Sequence, residues 1–266
     1  MISVIVCGGC GKMGSTVARL VHQNEDMKLT GIIESPSHPK KGKDWGIVTG
    51  LGESGIIVKD NLEEIIQNSD QIVEFTSPQV AIQHLKIVSK HKKAMIMGTT
   101  GFSSEEIKEI NKLTQGIPFL LSPNMSLGVN LLFKLAAETA AALSDDYDIE
   151  IVEAHHRFKK DAPSGTAKKL AQEIAKVKNV NLDEVAIYGR EGMIGERKRG
   201  EIGIHSIRGG DITGEHTVIF TALGERLELT HKAHSRNTFA YGTIQAIKFI
   251  EGKPAGFYEM KDVLKI

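Results

Sequence analysis

The chain has 266 residues, enough for one large domain or two smaller ones that each bury a hydrophobic core. Lysine and arginine total 33, as do aspartate and glutamate, so the charge balance does not indicate nucleic acid or a membrane surface as a partner. The N-terminus lacks the features of a signal peptide, and no run approaches the roughly twenty apolar residues that span a bilayer. With only two cysteines, these features predict a cytoplasmic protein in a reducing compartment.

Short apolar runs alternate with helical patterns through the first half of the chain. The apolar runs predict buried strands at residues 3–6, 29–34, 71–76, 94–98 and 118–121. Helices are predicted after the first, third and fourth of these runs, and Ser103 with Glu106 forms a capping-box pattern at the start of the last helix. Residues 45–60 predict a loop with one short strand. Strands separated by helices indicate a parallel sheet, and hence a Rossmann-like, doubly wound α/β domain.

The pattern changes in the second half. A long, alanine-rich helix is predicted at residues 126–143, a strand at 148–156 and another helix at 166–177. From Glu201 to Ala233, successive strands separated by glycines predict an open, mainly antiparallel sheet and an α+β domain. A final helix is predicted to end near Gly252, with an apolar stripe that could pack against the first domain.

The segment VIVCGGCGKMGS places Gly8, Gly11 and Gly14 between the first strand and the first helix. Glycines at such a turn let the backbone approach a pyrophosphate, and the helix N-terminus supplies free N–H groups. Cys10 stands where a strict G-x-G-x-x-G pattern has its middle glycine. Glu34 ends the second strand about twenty residues later, where an acidic side chain can accept hydrogen bonds from the adenosine ribose. The segment therefore predicts a dinucleotide site.

Cys7 and Cys10 have the C-x-x-C spacing that in other folds marks a redox or zinc site. A structural zinc site needs about four ligands, and the sequence has no second pair of cysteines, so no metal is predicted. We interpret the two thiols as small, partly buried side chains beneath the glycine turn. Whether they are oxidisable stays open.

The segment EAHHRFKKDAPSGTAKKL concentrates positive charge in a chain of zero net charge. Six consecutive positions hold five basic or imidazole side chains, namely His155, His156, Arg157, Lys159 and Lys160. Ser164, Gly165 and Thr166 then open a helix and offer N–H groups and hydroxyls to an anion. The combination predicts a small carboxylate substrate that is held for proton transfer. Zinc is not favoured, because no further ligand has suitable spacing and Lys159 would repel a cation.

Several other motifs accompany this segment, namely GGCGKMG, EFTSP, GTTGF, SPNMSLGVN, GEHTVIF and GERLELTHKAHSRNTFA. They occur in the order found in the dihydrodipicolinate reductase family, which the chain resembles over essentially its whole length. The most specific part of the resemblance is the pattern H-H-x-x-K-x-D-A-P-S-G-T-A within residues 153–167.

The resemblance implies an NAD(P)H-dependent reduction of 4-hydroxy-tetrahydrodipicolinate to tetrahydrodipicolinate in lysine biosynthesis through diaminopimelate. It implies that His155 is the acid/base and Lys159 the proton donor. It also implies that His156, Gly165 and Thr166 bind the carboxylates of this cyclic substrate, which agrees with the anion site inferred above around Ser164. A homotetramer is implied as well.

The resemblance further implies a set of cofactor-binding residues, of which two groups follow predicted strands at their carboxyl ends. The set is Gly8, Gly9, Cys10, Gly11, Lys12, Met13, Glu34, Gly98, Thr99, Thr100, Ser122, Pro123, Asn124 and Met125. Some family members have an arginine directly after the acidic residue, suited to the 2′-phosphate of NADPH. Ser35 stands there in this chain, so NADH is favoured. Three nearby lysines could partly restore NADPH binding, namely Lys40, Lys41 and Lys43.

We therefore expect two domains with separate roles. Residues 1–125 with 239–266 are expected to bind the dinucleotide, and residues 126–238 to bind the substrate and mediate oligomerisation. Two alternatives stay open. One is another nicotinamide-dependent dehydrogenase of similar architecture, acting on an amino acid or a polyol. The other is a catalytically silent sensor that binds a dinucleotide.

Overall fold

The structure, a computed structural model, describes every residue from 1 to 266. Its strands are β1 (Ile2–Cys7), β2 (Met27–Ile33), β3 (Val58–Lys59), β4 (Gln71–Glu74), β5 (Ala94–Met97), β6 (Pro118–Leu121), β7 (Asp148–His155), β8 (Ala186–Ile187), β9 (Ile202–Arg208), β10 (Gly214–Ala222), β11 (Glu225–Ala233) and β12 (Gly256–Tyr258). Its helices are α1 (Lys12–His22), α2 (Trp45–Thr49), α3 (Pro78–Lys90), α4 (Ser104–Leu113), α5 (Leu127–Ala142), α6 (Gly165–Val177), α7 (Leu182–Val185), α8 (Asn237–Ile250) and α9 (Met260–Leu264). None of the helices combines the length and the apolar character that crossing a lipid bilayer requires.

The chain forms two compact units. The first unit consists of Met1–Ser126 and Phe239–Lys265, and the second of Leu127–Thr238 with the terminal Ile266. The first unit contains a seven-stranded sheet in the order β12-β6-β5-β4-β1-β2-β3, in which every neighbouring pair is parallel. The strand order reverses at β1, which has β2 on one side and β4 on the other. The predicted Rossmann-like, doubly wound sheet is confirmed, and its reversal point is where such sheets bind ligands.

The strands of the first unit form where the sequence is continuously apolar, because both faces of a parallel sheet are covered by helices. All four residues from Val4 to Cys7 in β1 are fully buried. The capping box at the start of α4 is also confirmed. The backbone N–H of Ser103 donates to Glu106 Oε2 at 2.7 Å, and the N–H of Glu106 donates to Ser103 Oγ at 3.2 Å.

The first unit differs from the sequence prediction in short elements, among them α2 and β12. The predicted loop at residues 45–60 contains the short helix α2, which Asp44 caps by accepting the N–H of Ile47 at 3.0 Å. A five-residue helix is too short for its periodicity to stand out, and the buried Trp45 fixes it by donating its indole N–H to the carbonyl of Gly9 at 3.1 Å. The three-residue strand β12, which pairs in parallel with β6, also went unpredicted.

The second unit has a five-stranded sheet in the order β11-β10-β7-β9-β8. The pairs β10–β11 and β10–β7 are antiparallel, whereas β7–β9 and β8–β9 are parallel. The sheet is therefore mixed: both pairings of β10 are antiparallel, as expected, and both pairings of β9 are parallel. The chain crosses over through α6 between β7 and β9, and such a connection returns the second strand parallel to the first. Helices α5 and α6 share one hydrophobic core with the sheet.

From Phe239 onward, helix α8 belongs to the first unit. At Gly242 it packs closely against the backbone of another segment of that unit. A Cβ atom at this position would overlap the carbonyl oxygen of Met125. Glycine is therefore required there despite its poor helix propensity.

We expect Gly242→Ala to lower the free energy of unfolding by about 1–3 kcal/mol through overpacking, although alanine normally stabilises a helix. The matched control is Gly116→Ala, where nothing lies within 4 Å of the added carbon. Chemical denaturation of both variants checks this. Equal or greater stability of the Gly242 variant would contradict the close approach.

Candidate active site

In the turn between β1 and α1, two glycines lie very close to other backbone atoms of the first unit. Gly8 has a φ of +75°, and a Cβ there would lie 2.7 Å from the carbonyl oxygen of Phe75. A Cβ at Gly14 would overlap the carbonyl oxygen of Gly8. Gly11 is the N-cap residue of α1 and provides no side-chain cap, and the first turn of the helix has no acidic side chain. The N-terminal N–H groups of α1 are thus available to an anion such as a pyrophosphate.

Glu34 follows β2 and braces this turn. Its Oε1 accepts the backbone N–H of Cys10 at 2.6 Å, so one carboxylate oxygen supports the turn while the other can accept from a ligand. The carboxylate lines a cavity of about 350 Å³ together with Gly8, Gly11 and His84. A cavity walled by the end of β2, the glycine turn and the start of α3 has the position in which a Rossmann-like sheet holds an adenosine.

The other predicted cofactor residues follow the next strands of the same sheet. Gly98 and the threonines at 99 and 100 follow β5, and residues 122–125 follow β6. The Thr99 hydroxyl is buried and has no hydrogen-bond partner in the protein. Ser122 Oγ donates to the carbonyl of Asn124 at 2.8 Å, which fixes the turn after β6. The structure thus brings the glycine turn and both groups to the carboxyl edge of one sheet, and the unpaired hydroxyl, the glycine cradle and the uncapped helix fit a dinucleotide.

Cys7 lies in a buried cluster with Glu74 and His84, whose polar atoms are all within 4.8 Å of one another. Glu74 accepts from His84 Nδ1 at 2.6 Å and from the N–H of Thr76 at 2.8 Å. Burial and the neighbouring Glu74 raise the pKa of the Cys7 thiol. The thiol of Cys7 therefore keeps its proton beside this hydrogen-bonded carboxylate. Burial and Glu34 likewise raise the pKa of Cys10 to about 11.

In the second unit, the basic segment lies between the end of β7 and the start of α6. His155 is the last residue of β7, and its Nδ1 lies 2.6 Å from Glu153 Oε2. Glu153 is fully buried and also accepts two hydrogen bonds from Arg208, at 2.7 and 2.8 Å, and the N–H of Ser164 at 3.0 Å. Burial raises the pKa of Glu153, but the hydrogen bonds from Arg208 and His155 outweigh burial and lower the pKa to about 2. Glu153 is therefore an anion at neutral pH.

A second imidazole packs against His155. The rings of His155 and His216 meet edge to face with centroids 5.2 Å apart, and His216 Nε2 lies 3.0 Å from Ser164 Oγ. Burial lowers the pKa of His216 to about 3, so this ring is neutral at physiological pH. Burial also lowers the pKa of His155, and the Glu153 carboxylate opposes that shift.

The start of α6 has the chemistry that suits an anion. Ser164 caps the helix by accepting the N–H of Ala167 at 3.2 Å, and nothing lies within 4 Å of the space where a side chain at Gly165 would be. His156 Nδ1 is buried without a partner in the protein. Lys159 Nζ lies 3.0 Å from Asp161 and is about one-fifth exposed. The segment thus places the ammonium of Lys159 and the imidazoles of His155 and His156 between the end of β7 and the first turn of α6. Thr166 lies in that first turn.

Three residues of this site were not found by sequence reasoning, namely Glu153, Arg208 and His216. Strand register brings them together, because His155 is opposite Arg208 on β9 and Glu153 is opposite His216 on β10. The one available signal was the spacing of Glu153 and His155, since residues two apart on a strand share a face. Register cannot be read from one sequence, so the partners on β9 and β10 stayed hidden.

Both halves of the chain match models of the same protein family. Residues 2–125 match the family model described as "Dihydrodipicolinate reductase, N-terminus", and residues 128–264 match "Dihydrodipicolinate reductase, C-terminus". The chain is 50% identical over 264 residues to 4-hydroxy-tetrahydrodipicolinate reductase of Syntrophus aciditrophicus, with 99% of this chain and 98% of the relative covered. It is 47% identical to the protein of that name from Desulfotalea psychrophila, with the same coverage.

Solved structures give the same picture of the fold. A dipicolinate-bound dihydrodipicolinate reductase from Paenisporosarcina sp. TG-14 superposes with a TM-score of 0.76 at 27% identity, covering 97% of both chains. An amine dehydrogenase from Mycobacterium smegmatis superposes with a TM-score of 0.61 at 15% identity, covering 97% of this chain and 94% of the other. The second similarity concerns the fold alone.

A second carboxylate on β7 resembles Glu153 in its partners. Glu150 accepts hydrogen bonds from Arg190 and Arg197 at 3.0 Å and lies 2.7 Å from His205 Nε2. Burial raises the pKa of Glu150, but the hydrogen bonds from Arg190 and His205 lower it to about 2. Because both carboxyls have folded-state pKa values of about 2 against an ordinary 4.5, their stabilisation is complete above about pH 4.5 and is lost as the pH falls towards 2.

We expect the free energy of unfolding to fall as the pH is lowered through this window, and Glu150→Gln to make that fall shallower. Chemical denaturation at constant ionic strength between pH 2 and 6 measures the slope. The exposed Glu138→Gln serves as the control and is expected to leave the slope near that of the parent protein. Identical slopes for the Glu150 variant and the parent would contradict the assignment.

Proposed function

Because the chain belongs to the dihydrodipicolinate reductase family, we propose that it reduces 4-hydroxy-tetrahydrodipicolinate to tetrahydrodipicolinate with a reduced pyridine nucleotide, in the diaminopimelate route to lysine. The observation that carries the proposal is the ordered set of His155, Lys159 and the anion-accepting start of α6. This set is chemically suited to a small dicarboxylate that must be held and protonated. The solved relative binds dipicolinate, which is also a small cyclic dicarboxylate.

In the proposed substrate site, the carboxylates are bound by the second unit. The backbone N–H groups at Gly165 and Thr166 begin a 13-residue helix, where the dipole favours an anion. The buried Nδ1 of His156 gives a further hydrogen-bonding atom that no protein group occupies. Ser164 shapes this turn through its cap to Ala167 and its contact with His216.

The proposed proton transfer uses Lys159 and His155. Reduction of the conjugated imine that remains after loss of the 4-hydroxyl as water adds one hydride and one proton. Lys159 Nζ supplies the proton, and His155 acts with it as the acid/base. Since His155 Nδ1 is engaged by Glu153, Nε2 is the ring atom that can exchange a proton.

The proposed nucleotide site is the carboxyl edge of the seven-stranded sheet. Bound there, the reduced nicotinamide supplies the hydride. The glycine turn from Gly8 to Met13 would hold the pyrophosphate at the uncapped start of α1, and the free oxygen of Glu34 would be able to accept from the adenosine ribose. The unpaired hydroxyl of Thr99, with the backbone at residues 122–125, completes the residues proposed to hold the group.

Within this proposal NADH is the preferred donor. The cavity beside Glu34 is also lined by Asp60 and has no lysine or arginine in its wall, so a 2′-phosphate would meet two carboxylates. Lys41, which could have compensated, is paired with Asp60 at 2.5 Å. Ser35 is exposed at the position where an arginine would meet the phosphate.

We expect Ser35→Arg to raise kcat/KM for NADPH relative to that for NADH by about tenfold or more, because a guanidinium can pair with the phosphate. Ser37→Arg, two residues further along the exposed loop, is the control for added charge alone. Initial rates with each nucleotide give the ratio. A parent protein that already prefers NADPH would contradict the cavity argument.

A coupled absorbance assay tests the proposed function directly. Pyruvate, aspartate semialdehyde and the upstream synthase generate the substrate, and this protein is added last with NADH or NADPH. Nucleotide oxidation that requires both the synthase and this protein is the expected result. Oxidation that needs neither would indicate another dehydrogenase, and protein that binds NADH without any turnover would indicate a sensor.

The roles proposed for His155 and Lys159 give a sharper expectation. We expect His155→Ala and Lys159→Ala each to lower kcat by about 10²- to 10⁴-fold, the usual contribution of a positioned acid or base. The dissociation constant for NADH should stay unchanged, because both residues lie in the second unit. Lys160→Ala, at the exposed neighbouring position, is the matched control. Near-normal turnover of both variants would contradict these roles.

We also propose that the protein is a cytoplasmic homotetramer. The two cysteines are free, in keeping with a reducing compartment. The sheet face of the second unit that lies opposite α5 and α6 leaves Ile207 52% exposed, and an apolar residue on an uncovered sheet face suits an interface between copies. Light scattering coupled to size-exclusion chromatography tests the assembly, and a monomer at micromolar concentration would contradict it.

A further inference from the structure

We infer that Glu153 is the positioning residue for His155, fixing the imidazole with its proton on Nδ1 and tying it to the anion-binding start of α6. The inference rests on the proposed function, in which His155 Nε2 takes part in proton transfer. This role of Glu153 depends on its contacts with β9 and with the start of α6.

The geometry of Glu153 carries the first step. Each carboxylate oxygen accepts one N–H of Arg208 together with one further donor, the ring of His155 at Oε2 and the backbone of Ser164 at Oε1. An ionised carboxylate can only accept, so the Nδ1 that contacts it must carry the proton. Rotation of the imidazole would break this contact, which at 2.6 Å is short for an N–H donor.

The second step concerns the other ring nitrogen. His155 Nε2 has no hydrogen-bond partner in the protein, and the neighbouring Gly214 keeps space open beside it. A Cβ at Gly214 would lie 3.1 Å from Nε2 and would crowd the atom that must meet the substrate. The contact of Glu153 at Nδ1 and the open space at Nε2 thus direct one end of the ring towards a ligand.

The third step is the link to the anion site. The same carboxylate that orients His155 accepts the N–H of Ser164, the residue that caps α6. The helix start and the imidazole are therefore held to a common group. A ligand carboxylate at Gly165 and the Nε2 atom of His155 would be kept in fixed relation by this one side chain.

The charges around His155 set the sign of the test. The groups that face it are Glu153 on its own strand, Arg208 on β9, His216 on β10 and Lys159 in the following loop. Glu153 is the one anion among them. Replacing it with neutral glutamine leaves the cations, so the pKa of His155 should fall.

Glu150 provides a matched control, because it lies on the same strand and has the same kinds of partner. It contacts two arginines and a histidine, but on the opposite face of β7 and away from His155. Glu150→Gln and Glu153→Gln should therefore cause similar losses of stability. They should affect the ionisation of His155 differently.

The experiment compares the parent protein, Glu153→Gln and Glu150→Gln by nitrogen-15 NMR of the imidazoles, with His155 assigned from a His155→Gln spectrum. We expect the Nδ1–H tautomer of His155 in the parent and in the Glu150 variant. In the Glu153 variant we expect its pKa to fall by about one unit or more, and the fixed tautomer to be lost. These readouts need no turnover, so they test the positioning role even if the proposed reaction is wrong.

Kinetics on the same proteins supply the second readout. We expect Glu153→Gln to lower kcat by about 10- to 100-fold and to move the ionisation assigned to His155 in the pH profile to lower pH, with KM for the nucleotide unchanged. Glu153→Asp, which retains the charge, should keep that ionisation near its parent value. Glu150→Gln should change neither.

Two outcomes would overturn the inference. One is a parent protein whose neutral His155 carries its proton on Nε2, which can be observed even if Glu153→Gln does not fold. The other is a Glu153→Gln protein with the same His155 ionisation and pH profile as Glu150→Gln, since a merely structural role would lower stability alone. Absence of reductase activity in the parent protein would instead contradict the proposed function.

Discussion

The paired carboxylate of Glu153 is the interaction on which the second unit depends. An ionised group with no exposed surface is costly unless its hydrogen-bonding positions are used, and the donors around Glu153 meet that requirement. The donors come from the end of β7, the end of β9 and the start of α6. Loss of any one would leave a buried charge less well satisfied, so the three segments are held together by the cost of separating them.

The first unit solves a different problem by different means. A dinucleotide is bound largely by backbone, so the site needs close approach rather than charge. Gly8 and Gly14 allow the turn to fold against the backbone of Phe75 and of Gly8 itself, and Glu34 holds the turn through Cys10. The second unit instead concentrates charged and imidazole side chains around Glu153. This division matches the proposed division of labour between hydride donor and proton donor.

The sequence was sufficient for features that depend on local pattern. The strands of the parallel sheet follow from continuous apolar runs, the capping box from Ser103 and Glu106, and the basic segment from its composition. Features that depend on pairing were not accessible. The three-residue β12 is defined by its neighbour β6, and the parallel pairing of β7 with β9 depends on a crossover rather than on either strand. Glu153 is the first residue of the basic segment, but its role depends on the register that places Arg208 and His216 beside it.

The most direct test of the account is a crystal structure of this protein in complex with dipicolinate, which is the ligand of the solved relative. The account predicts one ligand carboxylate on the N–H groups at Gly165 and Thr166, the ring within reach of His155 Nε2, and the Glu153 contacts to His155 and Ser164 retained. A dicarboxylate bound elsewhere would contradict it. So would a ligand at this position with His155 turned away from Glu153.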